Sequence, residues 1–163
     1  IRYHNIYGPG ESSKGLNAGY IHVIPALIEK VRSGQYPVEL LGDSRATRPF
    51  TYIDDAVNAT VMITERALRG DSAVIGNDFN IGPRKATAIT DLAKLIWELF
   101  GDGRPFRYAA KETPAVTAVR REMDQKKITS VIGWKPQMKL RQGVIKTAEW
   151  MDTQYSETAK KSK

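Results

Sequence analysis

Short apolar runs closed by turn residues alternate along this chain with longer segments whose apolar residues recur every three or four positions. That alternation restricts the fold more than any other feature. Val38 to Leu41 ends at Gly42-Asp43, Phe50 to Ile53 follows a polar SRATR stretch, and Phe79-Asn80-Ile81-Gly82 stands between polar neighbours. Each reads as a strand. Ile21, Ile24, Leu27, Ile28 and Val31 share one helix face up to Gly34, and Pro25 suits the first turn, where a missing N–H does no harm. Asp54 is placed to cap a second helix carrying Ala56, Val57, Thr60, Val61, Ile63 and Thr64. The clearest stripe, over 88–100, sets Ile89, Leu92, Ala93, Leu95, Ile96, Leu99 and Phe100 on one side, with Gly101 as the stop. Phe106-Arg107-Tyr108 reads as another strand, 125–132 as a short helix, and 141–153 as a last helix with Val144, Ala148 and Met151 inward. Strands and helices in alternation predict the α/β class.

The chain of 163 residues is long enough for a sizeable core and short for two full domains. Three Trp, seven Tyr and four Phe among repeated aliphatic clusters exclude a disordered chain. No apolar run approaches the roughly 18 residues of a membrane span, so no membrane partner is expected. Without cysteine there is no disulfide framework, thiolate metal site or Cys nucleophile, and a cytoplasmic location is expected. The net charge of +7 points to anionic partners, although Lys160-Lys161-Ser162-Lys163 supplies part of it. Residues 156–163 are read as a basic disordered tail on a domain of 1–155. The opening at Ile1 carries no signal-peptide pattern and reads as a trimmed end or as part of a longer polypeptide.

Most catalytic templates are absent: there is no GxGxxG, P-loop, GxSxG or HExxH, and the two histidines, His4 and His22, lie far apart. No metal site is expected. His4 is read as a strand residue hydrogen-bonded in the core, and Asp54-Asp55 as helix-opening acids rather than a catalytic pair. Ile1 to Ile6 reads as a strand delivered through Tyr7-Gly8-Pro9-Gly10 into a loop, GPGESSKGLNAG, whose length marks it as functional. Arg45 and Arg48 sit in a turn between two strands, and Arg120-Arg121 near a loop end. A guanidinium fork donates two parallel hydrogen bonds to one anion, so two such arginines from separate loops can clamp a pyrophosphate. Spacing alone favours a solvated basic face.

Taken together, the segments resemble the carboxy-terminal half of an extended short-chain dehydrogenase/reductase of the nucleotide-sugar epimerase and dehydratase family. IRYHNIYGPG resembles its RxxNxYGP strand and loop, HVIPALIEKV the helix after it, and LLGDSRATRPFTYIDDAVNA its G(D/G)xxxRxFxYVxDxxxA segment. FNIGPRKATAITDLAKLI and RREMDQKKITSVIGWKPQMKLRQGVIKTAEW are similar to the NIGxxxxxSIxDLAxxI piece and the terminal RxxDxxKxxxxLGWxPxxxLxxGLxxTxxW. The ordered set covers Arg2 to Trp150.

The resemblance implies a fold: the carboxy-terminal portion of a Rossmann-like, NAD(P)-binding enzyme, mixed short strands with helices, incomplete without an amino-terminal sheet. In the family a Gly-rich dinucleotide loop and the YxxxK motif precede the RxxNxYGP strand, and no such residues precede Ile1 in this sequence. The resemblance therefore implies the substrate-binding part of an enzyme, with NAD or NADP belonging to the full-length parent. This chain alone is expected to be inactive and to hold no cofactor tightly.

It also implies roles. Asn5 would reach the substrate through its amide, and Tyr3 and His4 would pass the nicotinamide with their backbone. Arg48 would bind the pyrophosphate of a nucleotide-diphosphate sugar, joined by Arg121, which precedes Asp124 by three residues, with Arg120 as the competing candidate. Val38 to Leu41, with Leu40 among them, would line the base, and the stretch 20–25, with Val23, would cover its other face. The RYHNIYGP strand and Lys14 resemble the GDP-mannose 3,5-epimerases of the family, in which a loop lysine is an acid/base; the residue alone reads as solvated. ETPAVTAV stands where many members carry RxGD, so the resemblance does not extend to one phosphate or ribose contact.

Two other readings are a non-catalytic nucleotide-binding module and an inert proteolytic fragment, whose open strand edges would self-associate. A nucleic-acid partner is disfavoured, because no RRM, KH or helix-turn-helix signature occurs.

Overall fold

The computed structural model describes residues 1–10, 22–111 and 119–161. The elements run β1 (Arg2–Tyr3), β2 (Ile6–Tyr7), α1 (Val23–Arg32), β3 (Val38–Leu41), β4 (Thr47–Arg48), β5 (Thr51–Tyr52), α2 (Ile53–Leu68), β6 (Asn80–Ile81), β7 (Thr87–Ala88), α3 (Ile89–Phe100), β8 (Tyr108–Lys111), α4 (Lys126–Ile132) and α5 (Leu140–Lys161). The class is α/β as expected. Four two-stranded ladders replace a single sheet: β1 with β6, β2 with β5 and β3 with β8 are parallel, and β4 with β7 is antiparallel.

The opening segment is not one strand from Ile1 to Ile6. It breaks at Asn5, which takes the left-handed φ of +40°, a conformation Asn tolerates better than most residues. The break lets the chain leave β6 and pair with β5 two residues later. The expected strand from Phe50 to Ile53 is likewise shorter, because Ile53 already begins α2.

Asp54 does not cap α2. Tyr52 holds that position and makes no side-chain cap bond. Both acids lie in the first turn, which suits the positive end of the helix dipole. Asp55 turns inward, 7% exposed, and its two carboxylate oxygens accept the backbone N–H groups of Gln137 at 2.9 Å and Met138 at 3.0 Å. Its carbonyl accepts the Trp134 indole N–H at 3.2 Å. One buried acid thus ties the start of α2 to the turn before α5. His4 also departs from expectation: its backbone is hydrogen-bonded, but its Nε2 is shut from solvent and has no partner among the described residues.

Two apolar clusters hold the molecule. The larger packs Ile24, Leu27, Ile28 and Val31 of α1 against Leu92, Ala93, Ile96 and Trp97 of α3, Val144, Ala148 and Met151 of α5, and Val38 and Leu40 of β3. The smaller sets Ala56, Ala59 and Ile63 of α2 against Phe79, Ile81, Ile128, Ile132 and Trp134. Of the inward faces predicted, Ile24, Leu27, Ile28 and Val31 of α1, Leu92, Ala93 and Ile96 of α3 and Val144, Ala148 and Met151 of α5 are buried; Ile89, Leu95, Leu99 and Phe100 are half-buried, Trp97 joins the α3 face, and Ile21 lies outside the described residues. Pro25 sits buried in the first turn of α1. Among the described residues no helix is long and apolar enough to cross a membrane.

Candidate functional site

The site is organised by the stretch Gly42 to Phe50. At Gly42, φ of +76° turns the chain out of β3, a conformation that favours glycine. Asp43 then fixes the bend by accepting the Arg45 backbone N–H at 2.9 Å, while its carbonyl accepts Ala46 N–H at 2.9 Å. The N–H groups of Arg45 and its side chain hold the Asp43 carboxyl below the usual carboxylate range, the backbone bond being the larger cause. The carbonyls of Ala46 and Ser44 accept the first amides of α3, from Ile89 at 3.0 Å and Thr90 at 3.2 Å, donors a helix start cannot satisfy itself. Arg48, expected in a turn, is therefore set in a strand anchored on a helix.

Arg121 arrives from the far end of the chain. Thr47 N–H donates to Val119 at 2.9 Å, and Arg121 N–H donates to the Thr47 carbonyl at 3.3 Å. The residue beside Arg48 is thus the residue that anchors Arg121. Arg48 is half-buried, and its Nη1 donates back to the Thr47 carbonyl at 2.8 Å. Burial, and then the Arg121 charge, lower its pKa below the usual arginine value. Two cations are held together with no carboxylate paired to either among the described residues. Arg120 differs: it is exposed and ion-paired with Glu122. Of the two arginines left open by the sequence, Arg121 is the one in register with Arg48, since Thr47 stands opposite Arg120.

A cleft of about 290 Å³ runs from Arg48 between α1 and β3, and its walls include Asn5, Val23, Leu27, Leu40, Leu41 and Phe50. Four expected site residues, Asn5, Val23, Leu40 and Arg48, therefore share one hollow. Asn5 is positioned by its Nδ2, which donates to the Pro49 carbonyl at 2.9 Å. A second hollow of about 330 Å³ adjoins it at Asn5, Val23 and Phe50, and reaches Tyr7 and His22. Asp124 does not line the cleft. Its Oδ1 accepts Lys126 N–H at 2.8 Å, on the side toward α4. Lys14 lies outside the described residues, as do Tyr20 and Ile21 of the stretch 20–25 and all of ETPAVTAV except Val119.

The edge of β3 contributes what sequence reading missed. Val38 N–H donates to Arg107 at 3.0 Å and Gly42 N–H to Lys111 at 2.9 Å, so by the alternation of a strand Glu39 and Leu41 turn their backbone groups to the other edge. Glu39 is sealed there: its N–H donates to the Gln35 side chain at 3.0 Å and its carbonyl accepts Lys30 Nζ at 2.8 Å. Among the described residues nothing seals Leu41 in this way, and the residue is 58% exposed. Strand alternation could have singled out Leu41; the side chains of Lys30 and Gln35 that close the edge beside it carry no local sequence signal.

The His4 backbone, expected beside a cofactor, is hydrogen-bonded within the protein. His4 N–H donates to Ile81 at 3.1 Å and the His4 carbonyl accepts the Thr51 hydroxyl at 2.6 Å. Tyr3 pairs with Ile81 in the ladder, and its hydroxyl meets that of Thr60 at 2.8 Å. Among the described residues no group of three or more His, Asp or Glu is placed to hold a metal.

Residues 1–82 match the model of the NAD dependent epimerase/dehydratase family. GDP-mannose 3,5-epimerase of Arabidopsis thaliana is 29% identical over 154 residues, covering 94% of this chain and 37% of that protein. UDP-glucose 4-epimerase of Thermotoga maritima, solved with UDP-glucose, superposes with a TM-score of 0.71 at 25% identity, over 94% of this chain and 45% of that one. UDP-glucuronic acid 4-epimerase of Bacillus cereus, in complex with UDP-glucuronic acid and NAD, gives 0.75 at 23% identity, over 94% and 45%. The chain spans less than half the length of the relatives it matches.

Proposed function

This chain belongs to the NAD dependent epimerase/dehydratase family, and we propose that it is the part of such an enzyme that grips a nucleotide-diphosphate sugar. The observation that carries the reading is the convergence of Arg48 and Arg121, two like charges brought together by the backbone at Thr47. A diphosphate brought between them removes the repulsion and accepts from both guanidinium forks. The cleft beside them offers a base an apolar floor at Leu40 and Val23 and the free backbone edge of Leu41. Main-chain donor and acceptor side by side suit the edge of a planar base.

In this reading the chain supplies orientation. Binding energy from the diphosphate and base, remote from the reacting carbon, holds the sugar at the end of the cleft marked by Asn5. NAD, bound by relatives such as the Bacillus cereus enzyme, supplies hydride chemistry when present. His4 and Tyr3 contribute backbone structure at that end of the cleft.

Titration of the chain with UDP, GDP and dTDP by calorimetry or NMR tests the proposal. Arg48→Ala and Arg121→Ala should each weaken the best of the three about tenfold or more, equivalent to about 1.4 kcal/mol, while Arg120→Ala leaves it within twofold. Unchanged affinity in both of the first two variants would remove the assignment.

A further inference from the structure

β4 and β7 pair antiparallel, with Thr47 opposite Ala88 and Arg48 opposite Thr87. On the other edge of β4, Thr47 stands opposite Arg120 in parallel register, which sets Arg121 next to Arg48. Side chains opposite each other in a ladder project from the same face. Thr87, Arg48 and Arg121 therefore form one row across three adjacent segments, with Arg48 in the middle. Thr47, Ala88 and Arg120 form the row on the opposite face.

The cleft lies on the Thr87 face. Ala46, Arg48 and Phe50, alternate residues of one segment, all line it, and so does Ile89, two residues after Thr87. Backbone bonds hold the two segments together there, from Ile89 N–H to the Ala46 carbonyl at 3.0 Å and from Thr90 N–H to that of Ser44 at 3.2 Å. Thr87 is half-buried, and its hydroxyl makes no hydrogen bond among the described residues. Nor is it spent on the start of α3, where Ala88 holds the cap position without a side-chain bond. The hydroxyls of Thr51 and Thr60, by contrast, are turned to the carbonyls of His4 at 2.6 Å and Ala56 at 2.8 Å.

Arg48 leans away from Thr87. Its Nη1 donates to the Thr47 carbonyl, the same one that accepts Arg121 N–H, so the two guanidinium groups converge on one side of the row and the Thr87 side is left to a second group. We propose that Thr87 is a third ligand of the diphosphate: one phosphate lies between Arg48 and Arg121, and the linked phosphate accepts the Thr87 hydroxyl. The inference rests on the nucleotide reading and adds a preference to it. A monophosphate seated between the arginines leaves the hydroxyl unused, and a diphosphate uses all three donors.

The test is calorimetric titration of the full chain with UDP, GDP and dTDP, and with the monophosphate of whichever binds best. Thr87→Val keeps the branched shape and removes the hydroxyl. It should weaken the diphosphate about tenfold, as loss of a hydrogen bond to a charged group does, and leave the monophosphate within about twofold. Thr87→Ser restores the hydroxyl and should bring the diphosphate back to within about threefold of the parent chain. Diphosphate affinity that holds within about threefold in Thr87→Val, an equal loss for both nucleotides, or no rescue by serine overturns the inference. Where Arg48→Ala and Arg121→Ala weaken the diphosphate and Thr87→Val does not, the nucleotide reading stands and this inference alone falls. Where no nucleotide binds, or neither arginine variant loses affinity, the reading itself has failed.

Discussion

Asp55 and the pair Arg48 with Arg121 show two ways of placing charge in one small protein. Asp55 is buried, and the chain meets its carboxylate with the N–H groups of Gln137 and Met138. Arg48 is half-buried beside another cation, and among the described residues its guanidinium donates back to the adjacent carbonyl of Thr47. A charge that the chain satisfies itself is structural: it joins segments, and its removal leaves donors stranded. A pair of like charges held together without a counter-ion is unfavourable in the free protein and becomes favourable only when an anion arrives.

The largest expected effect tests the first half of that contrast. Asp55→Ala leaves two buried backbone N–H groups unmet and loosens the Trp134 turn, so unfolding free energy should fall by about 3 kcal/mol or more in urea denaturation. Asp55→Asn keeps shape but exchanges one acceptor for a donor, and should recover only part of the loss. A fall below about 1 kcal/mol in the alanine variant would mean that the buried acid is no more structural than a surface one.

The sealed side can also be probed by volume. Gly143 of α5 faces the Tyr7 and Tyr52 rings, and a Cβ there would collide with the Tyr7 hydroxyl and crowd the Tyr52 ring at 3.0 Å. Gly143→Ala should cost about 1–3 kcal/mol by overpacking, although alanine is the better helix former. Tyr7→Phe in the same chain should restore a fraction, since the hydroxyl is the closest atom and the ring remains.

On the unsatisfied side the sign reverses. Arg48→Met keeps the side-chain stem and removes the repulsion, so stability should hold or rise by up to about 0.5 kcal/mol. Nucleotide affinity should nonetheless fall. Loss of both together would place Arg48 with Asp55 as a structural residue and dissolve the contrast.

How much of this was legible in the sequence follows from range. The inward faces of α1, α3 and α5 are periodic, and periodicity within one helix is local information. The role of Asp55 was hidden because its partners lie more than 80 residues away and are backbone groups, which every sequence carries. The pairing of Thr87–Ala88 with Thr47–Arg48 was missed for the same reason: two-residue ladders have no alternation to read. Arg48 and Arg121 were named from family resemblance, and what sequence could not supply was the choice between Arg121 and Arg120. What separates the two is Glu122, which pairs with Arg120, and the parallel register that sets Thr47 opposite Arg120 and so Arg121 next to Arg48. The break at Asn5 was equally out of reach, since Asn permits a left-handed turn without demanding one.

The smallest expected effect concerns Asp43, an acid on the cleft wall whose availability decides whether Arg48 has a counter-ion. Its carboxyl is engaged by Arg45, first through the backbone N–H and then through the side chain, and its pKa lies below the ordinary carboxylate value of 3.8. A depressed acid stabilises the fold above the unfolded pKa and loses that contribution as pH falls through the folded value. Because Asp43 is solvent-accessible, the effect on global stability should be slight, and the informative measurement is its own NMR titration. In Arg45→Ala the side-chain bond goes but the larger cause, the backbone N–H, stays, so the midpoint should rise only part of the way to 3.8. A midpoint that instead moves when Arg48 is replaced would show Asp43 serving as the counter-ion of Arg48. The cleft would then be satisfied from within, as Asp55 is, and the two regions would no longer differ in kind.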